Sequence, residues 1–416
     1  MRQIALFLDP KGTVLEVVRT AKQRGLFVVA AVSDETLLHT APEPYHSAVG
    51  CIDQIIPVDT WNDATAHKVA NTLRPLGKVV CVYSGFDPCA VVSAKLRQEF
   101  GLPTTSPEIL ALILNKQHLR TRLKEHGLSH IKSVSQSVAD KWQSWEFGGA
   151  AYFKPVHGFF SAYVKRCESW EDFKAARSEW EKGNASDPAY VKNYVRSENE
   201  YYLEEAFDGE LLSVESISSS GKFQCLGLLS RILYSKNPIV EMGSCFPYPH
   251  TFRDKIVAAV EKGHEMLGFT EGATHVEVIV SKSGEVEIID FNPRFVGADV
   301  LQSVNNAYGI RIEEQLLDWA CGKSPVIETK NAQHACLQYI LSPESLQFDS
   351  ISFPKVTEVK FKTTFVKPGM KLSSIDRQLD YIGCYLTVMP TFESALSRSK
   401  ELRSEIKING HLEGAY

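Results

Sequence analysis

The alternation of strand-like and helix-like segments at the start of the chain restricts its fold more than any other feature. Short apolar runs of strand length occur at Ile4–Leu8, Leu26–Val32 and Val79–Tyr83, and helical periodicity occurs at Val14–Arg24 and Ala90–Phe100. Strands that alternate with helices favour a parallel sheet covered by helices. We therefore predict a doubly wound α/β domain over residues 1–105. Its first strand is not followed by the Gly-x-Gly-x-x-Gly turn of dinucleotide-binding domains, so that function is not favoured.

The remainder of the chain changes character twice. A region of mixed strands and helices, of α+β type, follows residue 105, and a strand-rich region begins after residue 328. We therefore expect three domains, at 1–105, 106–328 and 329–416, in line with roughly 150 residues per domain. The elements expected in the last domain are strands at Cys336–Leu341, Val356–Phe361 and Tyr385–Val388, glycine turns at Pro368-Gly369 and Gly383, and a closing helix at Thr391–Glu405.

Composition and charge exclude several classes of protein. A formal net charge of −5 argues against a chain whose main role is to hold nucleic acid, because that affinity rests on clustered Lys and Arg. No apolar run approaches the ~18 residues of a membrane helix, and the charged start leaves no room for the core of a signal peptide. The nine cysteines form no Cys-x-x-Cys pair, which indicates reduced thiols. We therefore expect a cytoplasmic protein with no membrane or nucleic-acid partner.

Two acidic residues in a β-branched segment are the strongest chemical signal. The segment His275–Arg294 has the pattern of two strands joined by a two-residue turn at Ser283-Gly284, which places Glu277 directly opposite Asp290. Directly opposed side chains are about 4.5–5.5 Å apart, where like charges are destabilising. Asn292 lies on the same face as Asp290. Two carboxylates and an amide oxygen suit Mg²⁺, whereas the simpler alternative is a hairpin whose acids face water.

These residues resemble a known signature. Glu277 followed by Ile288–Gly297 is similar to the metal-binding signature of the ATP-grasp superfamily of carboxylate–amine ligases, and Val240–Pro247 is similar to a segment of its L-amino-acid ligase and carnosine-synthase-like branch. The resemblance follows the family's order along most of the chain. It implies an ATP-grasp fold after the first domain, in which two α+β subdomains clamp ATP and a lid at about 140–205 closes over the site.

The resemblance also implies a role for each matching residue. The residues implied to hold the metal ion are Glu277, Asp290 and Asn292. Those implied to bind ATP are Lys116, Lys154, Gly158, Ser161, Glu204, Glu205, Ala206, Phe207 and Glu210. Arg294 and Lys154 are implied to act in catalysis, because cationic side chains stabilise the charge on a transferred phosphoryl group. The candidates for substrate contact are Asp87, Arg231, Gly243, His275, Arg294 and Gly297.

Some positions depart from the family pattern or have a simpler explanation. The phosphate loop carries Phe160 and Tyr163 where the family has more glycines. Leu211 stands where an acid for the ribose is common, so Glu210 is the expected substitute, and Asp290 stands where Glu is commoner. The structural alternatives are an N-cap for Asp87, a surface ion pair for Arg231 and a buried structural role for His275.

The function that the resemblance implies is an ATP-dependent ligase. It would join a carboxylate, an amino acid or related acid, to the amine of an amino acid through an acyl phosphate, with release of ADP and phosphate. ATP and Mg²⁺, with Mn²⁺ as a substitute, are the expected cofactors, and a small carboxylate and a small amine are the expected partners, in a homodimer. Two alternatives stay open: an ATP-grasp carboxylase or formate-using synthetase acting on a nucleotide precursor, and an ATP-binding scaffold without catalysis.

Overall fold

The computed structural model describes residues 2–34, 43–159, 161–183, 191–235, 237–297, 299–328, 332–342, 344–372 and 381–412. Phe160 of the expected phosphate loop lies outside these residues. Among the described helices, none is both long and apolar enough to cross a membrane.

The first domain is built on a four-stranded parallel sheet, as predicted. Its strands, in chain order, are β1 (Gln3–Leu8), β2 (Phe27–Val32), β3 (Gln54–Pro57) and β4 (Lys78–Ser84). Its helices are α1 (Val14–Gln23), α2 (Glu43–Val49), α3 (Thr65–Leu73) and α4 (Ala90–Glu99). The spatial order β3-β2-β1-β4 puts a switch point between β1 and β4, which is where ligands approach such sheets. The short, half-exposed β3 was missed because it has no continuous apolar run.

Two antiparallel sheets follow in the middle of the chain. The first, with spatial order β5-β8-β6-β7, consists of β5 (Ser133–Ser135), β6 (Ala151–Pro155), β7 (Lys165–Cys167) and β8 (Tyr201–Glu205), together with helices α7 (Gln136–Ala139) and α8 (Trp170–Lys182). The helix α8 begins with a capping box between Ser169 and Asp172, and it packs Phe173 and Trp180 against Phe153. We call β5–β8 and α8 the lid sheet.

The second of these sheets carries the acidic hairpin. Its strands, in spatial order, are β10 (Lys222–Ser230), β9 (Glu210–Ser219), β13 (Gly272–Val280) and β14 (Val286–Asn292). Helices α5 (Pro107–Leu114), α6 (Lys116–Glu125) and α9 (Arg253–Leu267) share one hydrophobic core with it. The side chain of Asn115 accepts a hydrogen bond from the backbone N–H of His118 at 3.0 Å, so α6 starts at Lys116. We call this sheet the base sheet.

The last sheet combines strands from both sides of residue 328. Its strands, in spatial order, are β11 (Ile232–Tyr234), β12 (Asn237–Phe246), β15 (His334–Leu341), β20 (Tyr381–Met389) and β18 (Val359–Thr364). The other elements here are β16 (Leu346–Gln347), β17 (Ile351–Ser352), β19 (Lys371–Leu372), β21 (Lys407–Ile408), β22 (His411–Leu412), α10 (Val300–Tyr308), α11 (Ile312–Ala320) and α12 (Phe392–Arg403). Phe7 and Val17 of the first domain share a core with Leu337 and Leu386 of this sheet.

Two expectations for the last region are wrong. Gly383 lies inside β20 rather than in a turn. The neighbouring strand β18 is so close that a Cβ at Gly383 would lie 2.3 Å from the Thr363 carbonyl oxygen, which explains the glycine at this position. Cys245 and Cys336 form a disulfide rather than two free thiols, and they are directly paired on β12 and β15. These cysteines are 91 residues apart, so only the strand pairing brings them together. The other seven cysteines are free.

Candidate active site

The two opposed acids lie where the sequence places them. Glu277 on β13 pairs directly with Asp290 on β14, as predicted. The predicted two-residue turn at Ser283-Gly284 is wrong. The turn is longer and begins at Ser281, whose backbone N–H donates to the Glu285 carbonyl oxygen at 2.8 Å. The register shifts next to the acids, and Ile289 is the extra residue of a β-bulge. The bulge compensates for the longer turn and leaves the acids opposite each other.

The bulge also decides which side chains of β14 face a cavity rather than the core. Ile288 and Phe291 both belong to the core beneath the base sheet. Asp290 and Asn292 line a cavity of about 220 Å³ instead, together with Glu277. The cavity lies between the two sheets, and its other charged lining residues are Lys116, Lys154, Glu204, Glu205, Arg231, Glu241 and Arg294.

Two lysines approach this cavity from different elements. The ammonium of Lys116, at the start of α6, contacts Asp290, and the ammonium of Lys154, on β6, contacts Glu204. Glu204 is fully buried and also accepts a hydrogen bond from Arg120 Nε at 2.9 Å. Burial alone would raise the pKa of Glu204, but the charges of Arg120 and Lys154 lower it to about 2. The carboxylate therefore stays ionised and fixes Lys154 at the cavity wall.

A chain of buried charges extends from Glu277. Arg231 Nη2 donates to Glu277 at 2.9 Å, and its other terminal nitrogen contacts Glu241. His275 Nδ1 lies 2.6 Å from Glu215, and His275 Nε2 lies 3.3 Å from Glu277. Burial would lower the pKa of His275, yet Glu215 raises it to about 9. Burial likewise opposes ionisation of Glu277, whose pKa is nevertheless well below its usual range because of Arg231. Arg231 is thus in a buried ion pair rather than a surface one.

Arg294 connects the cavity to the first domain. Its Nε donates to Asp87 at 2.8 Å, and its Nη1 donates to the Phe295 carbonyl oxygen at 3.2 Å. Both charged side chains are largely buried. The N-cap interpretation of Asp87 is wrong, since the short helix Asp87–Cys89 has no side-chain cap. Asp87 Oδ1 has no hydrogen-bond partner among the described residues.

Comparison with known proteins agrees with this architecture. Residues 151–302 match the family described as ATP-grasp domain. This matched segment, about a third of the chain, is similar to an ATP-grasp domain. Alanine–anticapsin ligases from Bacillus amyloliquefaciens and Bacillus subtilis are each 21% identical over 248 residues, or 55% of this chain and 51% of the relative. The chain therefore spans about half the length of the curated relatives it matches.

Likeness in fold to solved structures covers almost the whole chain. The L-amino acid ligase from Bacillus licheniformis matches with a TM-score of 0.79 at 20% identity, over 98% of both chains. Phosphoribosylglycinamide synthetase from Anaerococcus prevotii matches with a TM-score of 0.72 at 15% identity, over 98% of this chain and 99% of the other. At these identities the likeness establishes the fold. The predicted fold class and the resemblance to the L-amino-acid ligase-like branch of ATP-grasp proteins are confirmed.

The expected phosphate loop is anchored by aromatic rings. Gly158 and Ser161 line the cavity, and Ser161 has a positive φ of 50°. Phe159 packs against Phe86 of the first domain, with ring centres 5.2 Å apart. Tyr163 is buried against Trp180 of α8, with ring centres 5.4 Å apart. Bulky residues in a loop that usually carries glycines therefore attach it to both neighbouring elements.

The remaining residues that were expected to bind ATP separate into two groups. Glu205 and Phe207 line the cavity, whereas Ala206 and Glu210 do not. The backbone N–H of Ala206 donates to the Ala150 carbonyl oxygen at 3.0 Å. Glu210 accepts a hydrogen bond from the Tyr248 hydroxyl at 2.6 Å, away from the cavity, and Leu211 faces the cavity in its place. The structure therefore does not support Glu210 as a ribose ligand.

Two glycines of the substrate list also lie outside the cavity lining. A Cβ at Gly243 would be 2.3 Å from the Leu337 carbonyl oxygen, so this glycine permits the close packing of β12 on β15. A Cβ at Gly297 would lie 3.7 Å from Arg294 Nη1. Sequence reasoning missed Glu241, a cavity residue. The signal was a single carboxylate in an otherwise apolar strand segment, residues 239–242, two positions from the cavity residue Ile239.

Proposed function

We propose that this chain is an ATP-dependent ligase that joins a carboxylate to the amine of an amino acid through an acyl phosphate. One observation carries the proposal. The opposed acids Glu277 and Asp290 line the same cavity as Lys116 and Lys154, between two sheets that approach it from opposite sides. The similarity to alanine–anticapsin ligases and to an L-amino acid ligase supports amino acids as substrates.

The donor set at the opposed acids fits a divalent cation that is shared with a nucleotide. Glu277, Asp290 and Asn292 offer oxygen ligands only, which suits Mg²⁺ or Mn²⁺. Within the described residues, no group of three or more His, Cys, Asp or Glu side chains is arranged to hold a metal ion. Two carboxylates and one amide are therefore expected to need phosphate oxygens of ATP to complete the coordination. When bound, the cation would neutralise charge on those phosphates.

The cationic side chains around the cavity have different roles in the proposed reaction. Lys154 and Lys116 hold the polyphosphate, and Lys116 exchanges its contact with Asp290 for a phosphate oxygen. A substrate carboxylate oxygen then attacks the γ-phosphorus, and the bond from that phosphorus to ADP breaks. Arg294 stabilises the negative charge on the transferred group. The lone pair of the amine attacks the acyl carbon, phosphate leaves, and the amine loses a proton. The lid sheet excludes water, which would otherwise hydrolyse the acyl phosphate.

Release of ADP and phosphate from paired amino acids tests the proposal. The chain is incubated with ATP, Mg²⁺ and a panel of amino-acid pairs, beside Asp290→Asn and the control Asp254→Asn, whose side chain is 97% exposed. We expect turnover that needs both amino acids, loss of roughly 100-fold or more in Asp290→Asn, and no change in Asp254→Asn.

Other outcomes would point to other functions. Turnover that requires bicarbonate or formate would replace a ligase with a carboxylase or synthetase. ATP binding without ADP formation, unaffected by Asp290→Asn, would indicate a scaffold. The homodimer and the cytoplasmic location stay predictions, which light scattering and cell fractionation can test.

A further inference from the structure

Two free cysteines meet where the sheet of the first domain packs against α11. Cys81 lies on β4, Cys321 directly follows α11, and both thiols are free. Cys81 and Tyr83 point to the same side of β4, towards the core that α11 shares, because side chains two positions apart on a strand face the same way. Neither cysteine lines the cavity of the candidate active site.

The strand β4 and the end of α11 pass each other in a fixed register. The rings of Tyr83 and Trp319 are in edge contact, with ring centres 6.4 Å apart. One position further along each segment, Arg97 Nη1 donates to the Val82 carbonyl oxygen at 2.7 Å and to the Ala320 carbonyl oxygen at 3.0 Å. A single buried nitrogen therefore holds the two backbones together immediately beside the cysteines.

The two thiols are the next pair in this register. The thiol of Cys81 donates a hydrogen bond to the sulfur of Cys321. Cys81 is fully buried, whereas Cys321 is partly exposed and is followed by the exposed residues Gly322 and Lys323. A small oxidant can therefore reach one sulfur atom from solvent, and the second sulfur atom lies in contact behind it.

The two thiols also differ in acidity. The hydrogen bond from Cys81 lowers the pKa of Cys321 against the effect of burial, and the charges of Lys323 and Arg24 lower it further. Donation of the same hydrogen bond raises the pKa of Cys81, and burial adds to this effect. Oxidation-sensitive cysteines combine thiolate character, exposure and a neighbouring second thiol. Cys321 has all three properties.

We propose that Cys81 and Cys321 are an oxidisable pair, which a peroxide converts into a disulfide between the first domain and α11. The Cys321 thiolate attacks one peroxide oxygen, the O–O bond breaks, and the departing hydroxide takes up the thiol proton while the sulfur becomes a sulfenic acid. The sulfur of Cys81 then attacks the sulfur of Cys321, and the sulfenic hydroxide leaves as water with the proton of Cys81. Each cysteine loses one electron, and the peroxide is reduced to two molecules of water.

The bond requires only a small movement. The two sulfur atoms must close from hydrogen-bond contact to about 2.05 Å. Cys321 lies at the end of its helix, next to exposed residues, so its backbone can shift without disturbing the core. The inference stands apart from the proposed ligase function, since the reaction needs neither ATP nor a substrate of the cavity.

Peptide mapping after peroxide treatment tests the pair. The whole chain is treated with hydrogen peroxide in slight molar excess at about pH 7.5, remaining thiols are blocked with N-ethylmaleimide, and the chain is digested without reductant for mass spectrometry. We expect most chains to give a linked peptide that contains Cys81 and Cys321. Its rate of formation should not depend on protein concentration, because the bond forms within one chain. Dithiothreitol should abolish the linked peptide.

Cys225 provides an internal control for reactivity. It is also partly exposed, but burial raises its pKa to about 11. In the reduced chain, a short pulse of iodoacetamide should label Cys321 roughly 10-fold faster than Cys225, because the rate of labelling follows the thiolate fraction.

Three substitutions separate the roles of the two thiols. In Cys81→Ser the sulfenic acid of Cys321 has no thiol to attack it, so labelling by dimedone after peroxide should rise roughly 10-fold over the native chain. In Cys321→Ser, peroxide should leave Cys81 as a free thiol. Cys51→Ser, at another partly exposed cysteine, should give the same linked peptide as the native chain.

Several results would overturn the inference. These are sulfinic acid at Cys321 without the linked peptide, a cross-link between two chains instead of within one, or equal labelling of Cys321 and Cys225 by iodoacetamide. If a variant does not fold, the peptide map and the labelling rates of the native chain still distinguish these outcomes.

Discussion

Replacement of Glu204 by glutamine is a sharp test of the electrostatics at the cavity wall. Glutamine keeps the shape and one acceptor oxygen, but it removes the charge between Arg120 and Lys154. Both cations then lose a buried counter-charge. Removal of one partner from a buried ion pair is strongly destabilising, typically by about 3–5 kcal/mol.

The magnitude follows from the pKa of Glu204. A pKa lowered from 4.5 to about 2 corresponds to about 3 kcal/mol of stabilisation of the folded chain at neutral pH. Because the folded pKa is the lower one, this stabilisation is complete well above pH 4.5 and is lost as the pH falls towards 2. About 1 kcal/mol is lost by pH 4 and about 2 kcal/mol by pH 3.

Urea unfolding at several pH values measures this loss. Tryptophan fluorescence reports on the lid sheet, since Trp142, Trp170 and Trp180 pack around it. The stability difference between the native chain and Glu204→Gln should be about 3 kcal/mol at pH 7 and should shrink by about 2 kcal/mol at pH 3. The control is Glu146→Gln, at an exposed position of the lid region. A difference that stays constant from pH 7 to pH 3 would refute the assigned charge state of Glu204.

Three further substitutions test other features. Arg294→Lys keeps the charge but loses the hydrogen bond from Nε to Asp87, so kcat should fall roughly 100-fold while the affinity for ATP stays nearly unchanged. Stopped-flow kinetics measures the first quantity and equilibrium binding the second. An unchanged kcat would show that Arg294 takes no part in the reaction. Gly243→Ala forces a Cβ against the Leu337 carbonyl oxygen, so calorimetry should show a destabilisation of about 1–3 kcal/mol. An unaltered melting temperature would contradict the close packing of β12 on β15. Phe159→Ala removes the contact with Phe86, so limited proteolysis should cut the phosphate loop faster and the KM for ATP should rise; equal cleavage rates would show that the ring is not an anchor.

Local patterns predicted the parts of the fold that depend on neighbours in sequence. The parallel sheet followed from strands and helices that alternate along the chain, and the pairing of Glu277 with Asp290 followed from one hairpin. Periodicity alone indicates such elements because it reports which face is buried.

Features that depend on distant pairing were not predictable in this way. The bulge at Ile289 has no single sequence signature, and it was compensated by a turn of unexpected length. The pairing of β12 with β15 joins segments on both sides of residue 328, so neither the Cys245–Cys336 disulfide nor the role of Gly243 could be foreseen. Glu210 was predicted to bind the ribose because it precedes Leu211 in the sequence. Adjacent side chains of β9 point to opposite faces, so Leu211 lines the cavity and Glu210 does not.

The contact between Asp87 and Arg294 has a practical consequence for protein engineering. A fragment that starts at residue 106 would leave a buried guanidinium without its carboxylate and would expose Phe159 where Phe86 now covers it. A fragment that stops at residue 328 would break a continuous sheet between β12 and β15. We therefore expect the shortest useful expression product to be the whole chain, and any transplantation of specificity between relatives to exchange surface loops or single cavity side chains rather than complete domains.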